Sequence, residues 1–300
     1  MPANIRSAWG HDAVRGALWM TGASAMIALG ASCVRHLSAS LSPFELVFLR
    51  AIMGTVLLFP WMIRLSRRGT LRTTRFPLYL LRTGLSYSGM VCVFYGIGRM
   101  PIGEVYALLF LVPLITIMLA VLILKESAGP HAWIACAVGF CGALVILRPG
   151  IIALSLAAGA VLVTAVTYAS TNICIKSLSR TDSPVQITIY GYLLALVLSM
   201  GPGLYLWRTP AWQDLPWIIA LGLFQTLGGL CHARSVHAAD ARVVQPFNFL
   251  RLPVSVIVAY FLFAELPSPW TWLGAALIFA SSYYVLYREA GARKRNRRAK

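Results

Sequence analysis

The stretch Glu126-Ser-Ala-Gly-Pro130-His-Ala-Trp133 has a second copy in Glu265-Leu-Pro-Ser-Pro269-Trp-Thr-Trp272. Both read E-x3-P-x2-W. Each closes one long apolar segment and opens another. The first of these hairpins runs from Pro101 to Leu147, the second from Val243 to Leu286. Each carries a proline inside its first arm, Pro113 in one and Pro253 in the other. A second echo lies earlier in each copy. Cys33-Val-Arg-His-Leu37-Ser38 leads to Ser42-Pro43, and Cys174-Ile-Lys-Ser-Leu178-Ser179 leads to Ser183-Pro184. Two independent matches at nearly one offset divide the chain into related halves, 1–149 and 150–287, followed by a basic tail, 288–300.

Apolar residues make up 59% of the chain and charged residues 12%. A soluble domain carries about 25% charged residues. A globule of this length cannot hide that much apolar surface, so its solvent is lipid. The net charge of +17 would otherwise point to nucleic acid. Its placement argues against that. Arg293, Lys294, Arg295, Arg297, Arg298 and Lys300 follow an apolar segment directly, where bases face anionic headgroups. Met1 to Asp12 is polar, and the apolar run after it reads as a first span rather than a signal peptide. The six cysteines form no CxxC and no His/Cys metal spacing, so no metal and no cofactor is expected.

A span needs about 20 apolar residues. Ten candidates appear, at roughly 13–34, 43–63, 78–98, 101–124, 131–147, 152–176, 184–204, 215–233, 243–263 and 270–287. Lipid cannot satisfy open backbone groups, so the expected fold is an all-α membrane protein. With the N-terminus inside, nineteen lysines and arginines fall in inner segments. Only Arg35, Arg99, Arg148 and Arg208 fall outside. That bias places both termini in the cytoplasm and the chain in the cytoplasmic (inner) membrane. Each half then holds five spans. Because five is odd, the second half enters the membrane upside down. Inverted repeats are a mark of secondary transporters, whose sites lie near the midplane between the repeats.

Ser42-Pro-Phe-Glu45-Leu-Val-Phe-Leu-Arg50, Pro246-Phe-Asn-Phe-Leu-Arg251-Leu-Pro253 and the two hairpins together resemble the EamA branch of the drug/metabolite transporter superfamily, over roughly 14–288. The resemblance implies ten helices around a central cavity and export of a small metabolite. It points to amino acids, S-adenosylmethionine or opine-type metallophores such as pseudopaline as the kinds of cargo.

Several intramembrane polar residues are candidates for a cavity. In the sixth span Thr164, Thr167, Tyr168 and Thr171 share one helical face, with Asn172 beside it. That face either lines a pathway or glues two helices. In the ninth span Gln245, Asn248 and Arg251 stand together. Arg251 either snorkels to the cytoplasmic surface or holds a cargo carboxylate. Gln225 in the eighth span joins this group, while His232 reads as interfacial. Glu45 and Arg50 open the second span about 140° apart around the helix, so they should not pair with each other. They and Glu104 are candidates for gating or proton coupling. Arg82 reads as an inner-surface anchor. Trp19, Tyr87, Tyr95 and Tyr106 lie within spans. Trp19 and Tyr87 are taken as cargo contacts, with core packing as the alternative.

The leading expectation is therefore an exporter of a small polar or zwitterionic metabolite, working by alternating access. Its energy comes from the cargo's own gradient or from protons, because no GxxxxGK[ST] is present. Uptake or exchange, and a non-transporting sensor or scaffold, are the alternatives. An enzyme is not expected, since the spans hold no HExxH, paired aspartates or Ser/His/Asp set. The orientation is tested by reporter fusions after Arg68 and after Lys300. Both should read cytoplasmic, and a periplasmic signal from either would overturn it.

Overall fold

The computed structural model describes residues 11–67, 73, 75–124, 130–148, 155–179, 181–238 and 247–298. Its regular elements are all helices. In chain order they are α1 (His11–Leu37), α2 (Pro43–Arg67), α3 (Phe76–Arg99), α4 (Ile102–Leu109), α5 (Leu111–Leu124), α6 (Pro130–Leu147), α7 (Leu156–Leu178), α8 (Pro184–Tyr205), α9 (Leu215–Ala238), α10 (Arg251–Phe263) and α11 (Pro269–Arg298). A single 3-10 turn, Trp212–Asp214, precedes α9.

Six segments among the described residues are long and apolar enough to cross a membrane: Val14–Leu37, Pro43–Pro60, Ile102–Ile123, Leu156–Leu178, Gln186–Tyr205 and Trp212–Ser235. Trp133–Leu147 and Arg251–Phe263 are apolar but shorter. α3 falls outside this set, and Arg82-Thr-Gly-Leu-Ser-Tyr-Ser-Gly89 near its start shows why. Helix α11 runs on through Arg298, so the basic tail begins as a continuation of the last helix.

Two of the expected spans are interrupted. The fourth is broken at Phe110, between α4 and α5. The ninth has helical residues at 247–248, a turn at 249–250, and regular helix only from Arg251. Each break falls just before the span's proline, Pro113 or Pro253. Proline has no N–H to give, and its ring collides with the carbonyl four residues back. It is tolerated in the first turn, so a new helix starts ahead of it. The breaks meet: the rings of Phe110 and Phe249 pack edge to face at 4.6 Å.

Helix starts elsewhere are written in the sequence. Ser42 and Glu45 form a capping box on α2. Ser42 N–H donates to Glu45 Oε2 (2.7 Å), and Glu45 N–H donates to Ser42 Oγ (3.4 Å). Ser183 caps α8 through Gln186 N–H (3.3 Å), and Ser155 caps α7 through Ala158 N–H (3.1 Å). These side chains satisfy donors that the first turn leaves open.

The principal packing pairs join the two halves. Helix α1 lies along α9 and α3 along α7, while α2 lies along α8 and α6 along α11. Helix α4 meets α10, α1 meets α10, and α5 meets α7. The apolar core is correspondingly shared, running from Ala31 and Leu46 in one half to Val161, Leu221 and Ile278 in the other. The outer surface is apolar too. Leu18 is 68% exposed, Leu122 67% and Phe261 80%. Such side chains belong against lipid tails.

Glycine sets the closest approaches. A Cβ on Gly142 of α6 would stand 2.8 Å from the Gly274 carbonyl oxygen of α11, and one on Gly274 would stand 2.5 Å from the Gly142 carbonyl oxygen. In lipid, helix association depends on this kind of close backbone contact. At the end of the bundle that holds the α7–α8 corner, Asp182 binds α3. It accepts hydrogen bonds from Tyr79 Oη (2.7 Å) and Thr73 Oγ1 (3.0 Å). Burial alone would raise the Asp182 carboxyl; bonds from Tyr79, Thr73 and Thr181 and the charge of Arg75 outweigh it and hold the carboxyl below its ordinary value.

Gly142→Val or Gly274→Val should push α6 off α11 and cost about 1–3 kcal/mol, the usual penalty for overpacking. Gly84→Ala is the control, because nothing lies within 4 Å of a Cβ there. Thermal melts of the purified protein in detergent should show a clear drop for the first two and none for the third.

Candidate functional site

The chain has 26 lysines and arginines. Two of the arginines, Arg50 and Arg82, stand inside α2 and α3, and a third, Arg251, opens α10. Arg82, expected at the inner surface, makes a contact between two helices. Its Nη1 donates to the Ile187 carbonyl of α8 (3.2 Å), and the group rests on Gly191. It is a bolt between α3 and α8.

Arg50 lies seven residues into α2, about 10 Å along the helix at 1.5 Å per residue. Its Nη1 points to the sulfur of Met90 on α3 (3.0 Å), and its Cζ stands 5.5 Å from the ring centre of Tyr192 on α8. Glu45 is elsewhere, in the capping box, and its carboxylate also accepts the backbone N–H of Arg208. The two charges of α2 do not meet.

Arg251 is the first residue of α10 rather than a residue two turns inside a continuous helix. Its Nη2 donates to Asn248 Oδ1 (3.1 Å), and its Cζ lies 5.7 Å from the ring centre of Tyr106 on α4. Tyr106 in turn donates its hydroxyl to the Ile27 carbonyl of α1 (3.3 Å). Tyr168 of α7 rests on Gly89 of α3, beside the Met90 that Arg50 touches, and packs with Met90 against the core that holds Tyr106. His232 of α9 is half-buried. Nε of Arg50, Nε of Arg251, the Tyr87 hydroxyl and His232 Nδ1 are all buried without a hydrogen-bond partner among the described residues. Helices α2, α4, α7, α8 and α10 therefore bring two guanidinium groups and three tyrosines into one central cluster.

The threonine stripe of α7 is turned mainly to α3. Thr164 is fully buried, and its Oγ1 donates to the carbonyls of Gly89 and Ala160, both at 3.0 Å. Thr167 Oγ1 lies over Gly89 and donates to Val163 and Thr164 carbonyls. Thr171 donates to the Thr167 carbonyl (2.8 Å), and Asn172 Nδ2 to Thr116 Oγ1 of α5 (3.4 Å). Thr164 thus bonds across to α3, while Thr167 and Thr171 bond within α7. Gln225 lies over Gly30 in the α1–α9 seam, with Nε2 3.0 Å from where a Cβ there would be. Trp19 lies in the same seam, 5.0 Å below the Arg234 guanidinium. Gln245 lies outside the described residues.

At the end of the bundle away from the termini, charge ties the halves together. Arg35 of α1 pairs with Glu265 (2.6 Å), which also accepts Ile102 N–H at the start of α4 (3.3 Å). Left-handed Ala264 (φ 54°) ends α10 and turns Glu265 back toward them. Arg35 also donates to the Ile97 carbonyl (3.0 Å). Glu104 accepts a long bond from Thr271 Oγ1 (3.5 Å), and Asp214 accepts from Ser40 Oγ (3.0 Å).

Tyr192 and Met90 were not foreseen. Each is a single residue in an apolar helix, and only the position of a neighbouring helix gives it a role. The S-x-x-E spacing of Ser42 and Glu45 was the available signal that Glu45 is a cap. Glu45→Gln keeps the capping box and should leave transport intact. Glu45→Ala should lower stability by about 1 kcal/mol, as lost caps do. Transport abolished in Glu45→Gln, with a normal melt, would return Glu45 to a coupling role.

Comparison with known proteins fits this arrangement. The chain is 30% identical over 292 residues to a riboflavin transporter of Vibrio cholerae, covering 96% of this chain and 98% of that protein. It is 28% identical to an S-adenosylmethionine uptake transporter of Rickettsia conorii, covering 87% and 88%. It is 26% identical to a pseudopaline exporter of Pseudomonas aeruginosa, covering 82% and 86%. A solved crystal structure at 16% identity has the same fold, with a TM-score of 0.61 over 90% of this chain and 95% of that one. The model of the EamA-like transporter family matches twice, at residues 14–148 and 155–287. The chain belongs to the EamA-like transporter family, and it is a multi-pass, helical membrane transporter of small molecules.

Proposed function

We propose that the chain is a ten-span secondary transporter that carries a small polar metabolite across the cytoplasmic membrane by alternating access. In this reading residues 1–149 and 150–287 are inverted repeats and both termini are cytoplasmic. The packing supports the repeat. Exchanging the halves turns the α1–α9 pair into α7–α3, and α1–α10 into α7 against α4–α5. The α2–α8, α6–α11 and α4–α10 pairs map onto themselves. The two proline breaks also exchange. Discontinuous helices meeting between repeats are where secondary transporters hold their cargo.

The single observation that carries the reading is Arg251. It starts the second broken helix, beside Asn248 and Tyr106, with a buried and unpartnered Nε. A lone charge in a span costs roughly 2.5–3.5 kcal/mol on insertion scales. A cargo oxyanion offsets that cost during part of each cycle. The Arg35–Glu265 latch supplies a contact that breaks and reforms as the halves rock. Glu104, half-buried with one weak bond to Thr271, is the candidate for a coupling proton among the described carboxylates.

Export is the direction read from the sequence. Uptake is the second reading, favoured by the similarity to S-adenosylmethionine uptake transporters. Metabolite profiling of cells and medium, with the gene deleted and overexpressed, reads both directions. Arg251→Lys keeps the charge but loses the planar fork, so transport should fall. It should fall further in Arg251→Gln, with normal amounts of protein in the membrane. Unchanged transport in Arg251→Gln would reject Arg251 as a cargo contact, and loss of the protein from the membrane would make it structural.

A further inference from the structure

We infer that the central site selects a net anion, a small molecule whose carboxylate or phosphate is held by Arg50 and Arg251 together. The inference takes its site from the transport reading above. Its chemistry comes from the charges.

Arg50 and Arg251 come from different halves of the chain: Arg50 touches Met90, beside the Gly89 on which Tyr168 rests, and Arg251 stands over Tyr106, in the core against which Met90 and Tyr168 pack. Neither forms an ion pair among the described residues. Arg50 has a sulfur and a ring face; Arg251 has an amide and a ring face. A thioether is a weak acceptor, and an amide oxygen carries no charge to neutralise a guanidinium. Each arginine also keeps its buried Nε without a partner. Nε and one Nη form the edge with which a guanidinium grips two oxygens of a carboxylate or phosphate.

Asp12 lies in the first turn of α1 and Glu289 in the basic tail, and the five other described carboxylates are committed elsewhere. Glu45 caps α2, Glu265 pairs with Arg35, Glu104 meets Thr271, Asp182 binds Tyr79 and Asp214 binds Ser40. All five stand at helix ends or in corners. The cluster therefore offers two cations and no described carboxylate. An ammonium or sulfonium on the cargo has no counter-charge there, and the tyrosine faces that would attract a cation already face arginines. The amino end of α10 begins at Arg251 itself, and its partial positive charge adds to the guanidinium. The cargo that fits is an anion, a narrower class than the small polar or zwitterionic metabolite expected from sequence.

The test uses the purified full-length protein, equilibrium dialysis and two matched pairs. Flavin mononucleotide is compared with riboflavin, and indole-3-acetate with indole-3-acetamide. Within each pair the ring is the same and only the anionic group differs. At least one anion should bind about tenfold or more tightly than its neutral partner, with a preference that falls as salt is raised. Preference in the flavin pair alone identifies phosphate, and in the indole pair alone carboxylate. Arg50→Gln and Arg251→Gln should each remove most of the preference, and Arg50→Lys should restore part of it. Melting curves show that each variant is folded; if a Gln variant is not, the Lys variants and the salt dependence of the wild type carry the test. Equal binding of the neutral partners overturns the inference. So does a preference that survives in folded Gln variants, or no binding of either anion at roughly millimolar concentration. Anion binding without flux in proteoliposomes would count against the transport reading alone. Equal flux of both members of a pair would count against the anion site alone.

Discussion

A guanidinium buried in an apolar bundle has to be offset, and most of this architecture follows from how that is done at three arginines. Arg82 is offset by a backbone carbonyl of α8 and becomes a structural bolt. Arg50 and Arg251 receive weaker partners: a thioether, an amide and two tyrosine faces. The fold can hold them because the surrounding helices are locked by other means. A buried charge that is only partly compensated is costly. It persists where something outside the chain completes it for part of the time.

The locking comes from close backbone approach and from caps rather than from hydrophobic burial. Lipid tails are as apolar as leucine, so burying leucine between helices gains little. The α6–α11 contact depends on Gly142 and Gly274, and the α3–α7 contact on Gly89 with Thr164 donating across it. Most of these seams join the two halves. Each half alone would leave its small-residue faces without a partner, which is why the halves form one body with a shared core.

The proline breaks link this rigidity to function. Pro113 and Pro253 each force a helix to restart in the interior, and the freed backbone and the first side chain of the new helix then meet the centre. In α10 that side chain is Arg251. The far-end latch follows the same logic: the left-handed Ala264 ends α10 so that Glu265 reaches both Arg35 and the start of α4. Arg35 and Glu265 belong to the two sequence echoes, where their counterparts are Lys176 and Glu126.

The sequence by itself determined the solvent, the helical class and the limits of most helices to within a few residues. Apolar length, serine caps and prolines are local signals, and apolar runs of about 20 residues close their backbone hydrogen bonds in lipid as helices. Even the two breaks lie beside prolines that were visible in the chain. What only the tertiary structure decided was which polar residues share a site. The stripe of Thr164, Thr167 and Thr171 had the periodicity of a cavity face, and only the docking of α3 shows that Thr164 donates across to Gly89. Arg50, Tyr106, Tyr168, Tyr192 and Arg251 had no common periodicity and converge. The reason is physical. In water the polar face of a helix points outward and names the buried face by contrast. In lipid both faces are apolar, so the pattern within one helix does not say which side meets its neighbours, and five helices distant in sequence must be docked before the cluster exists.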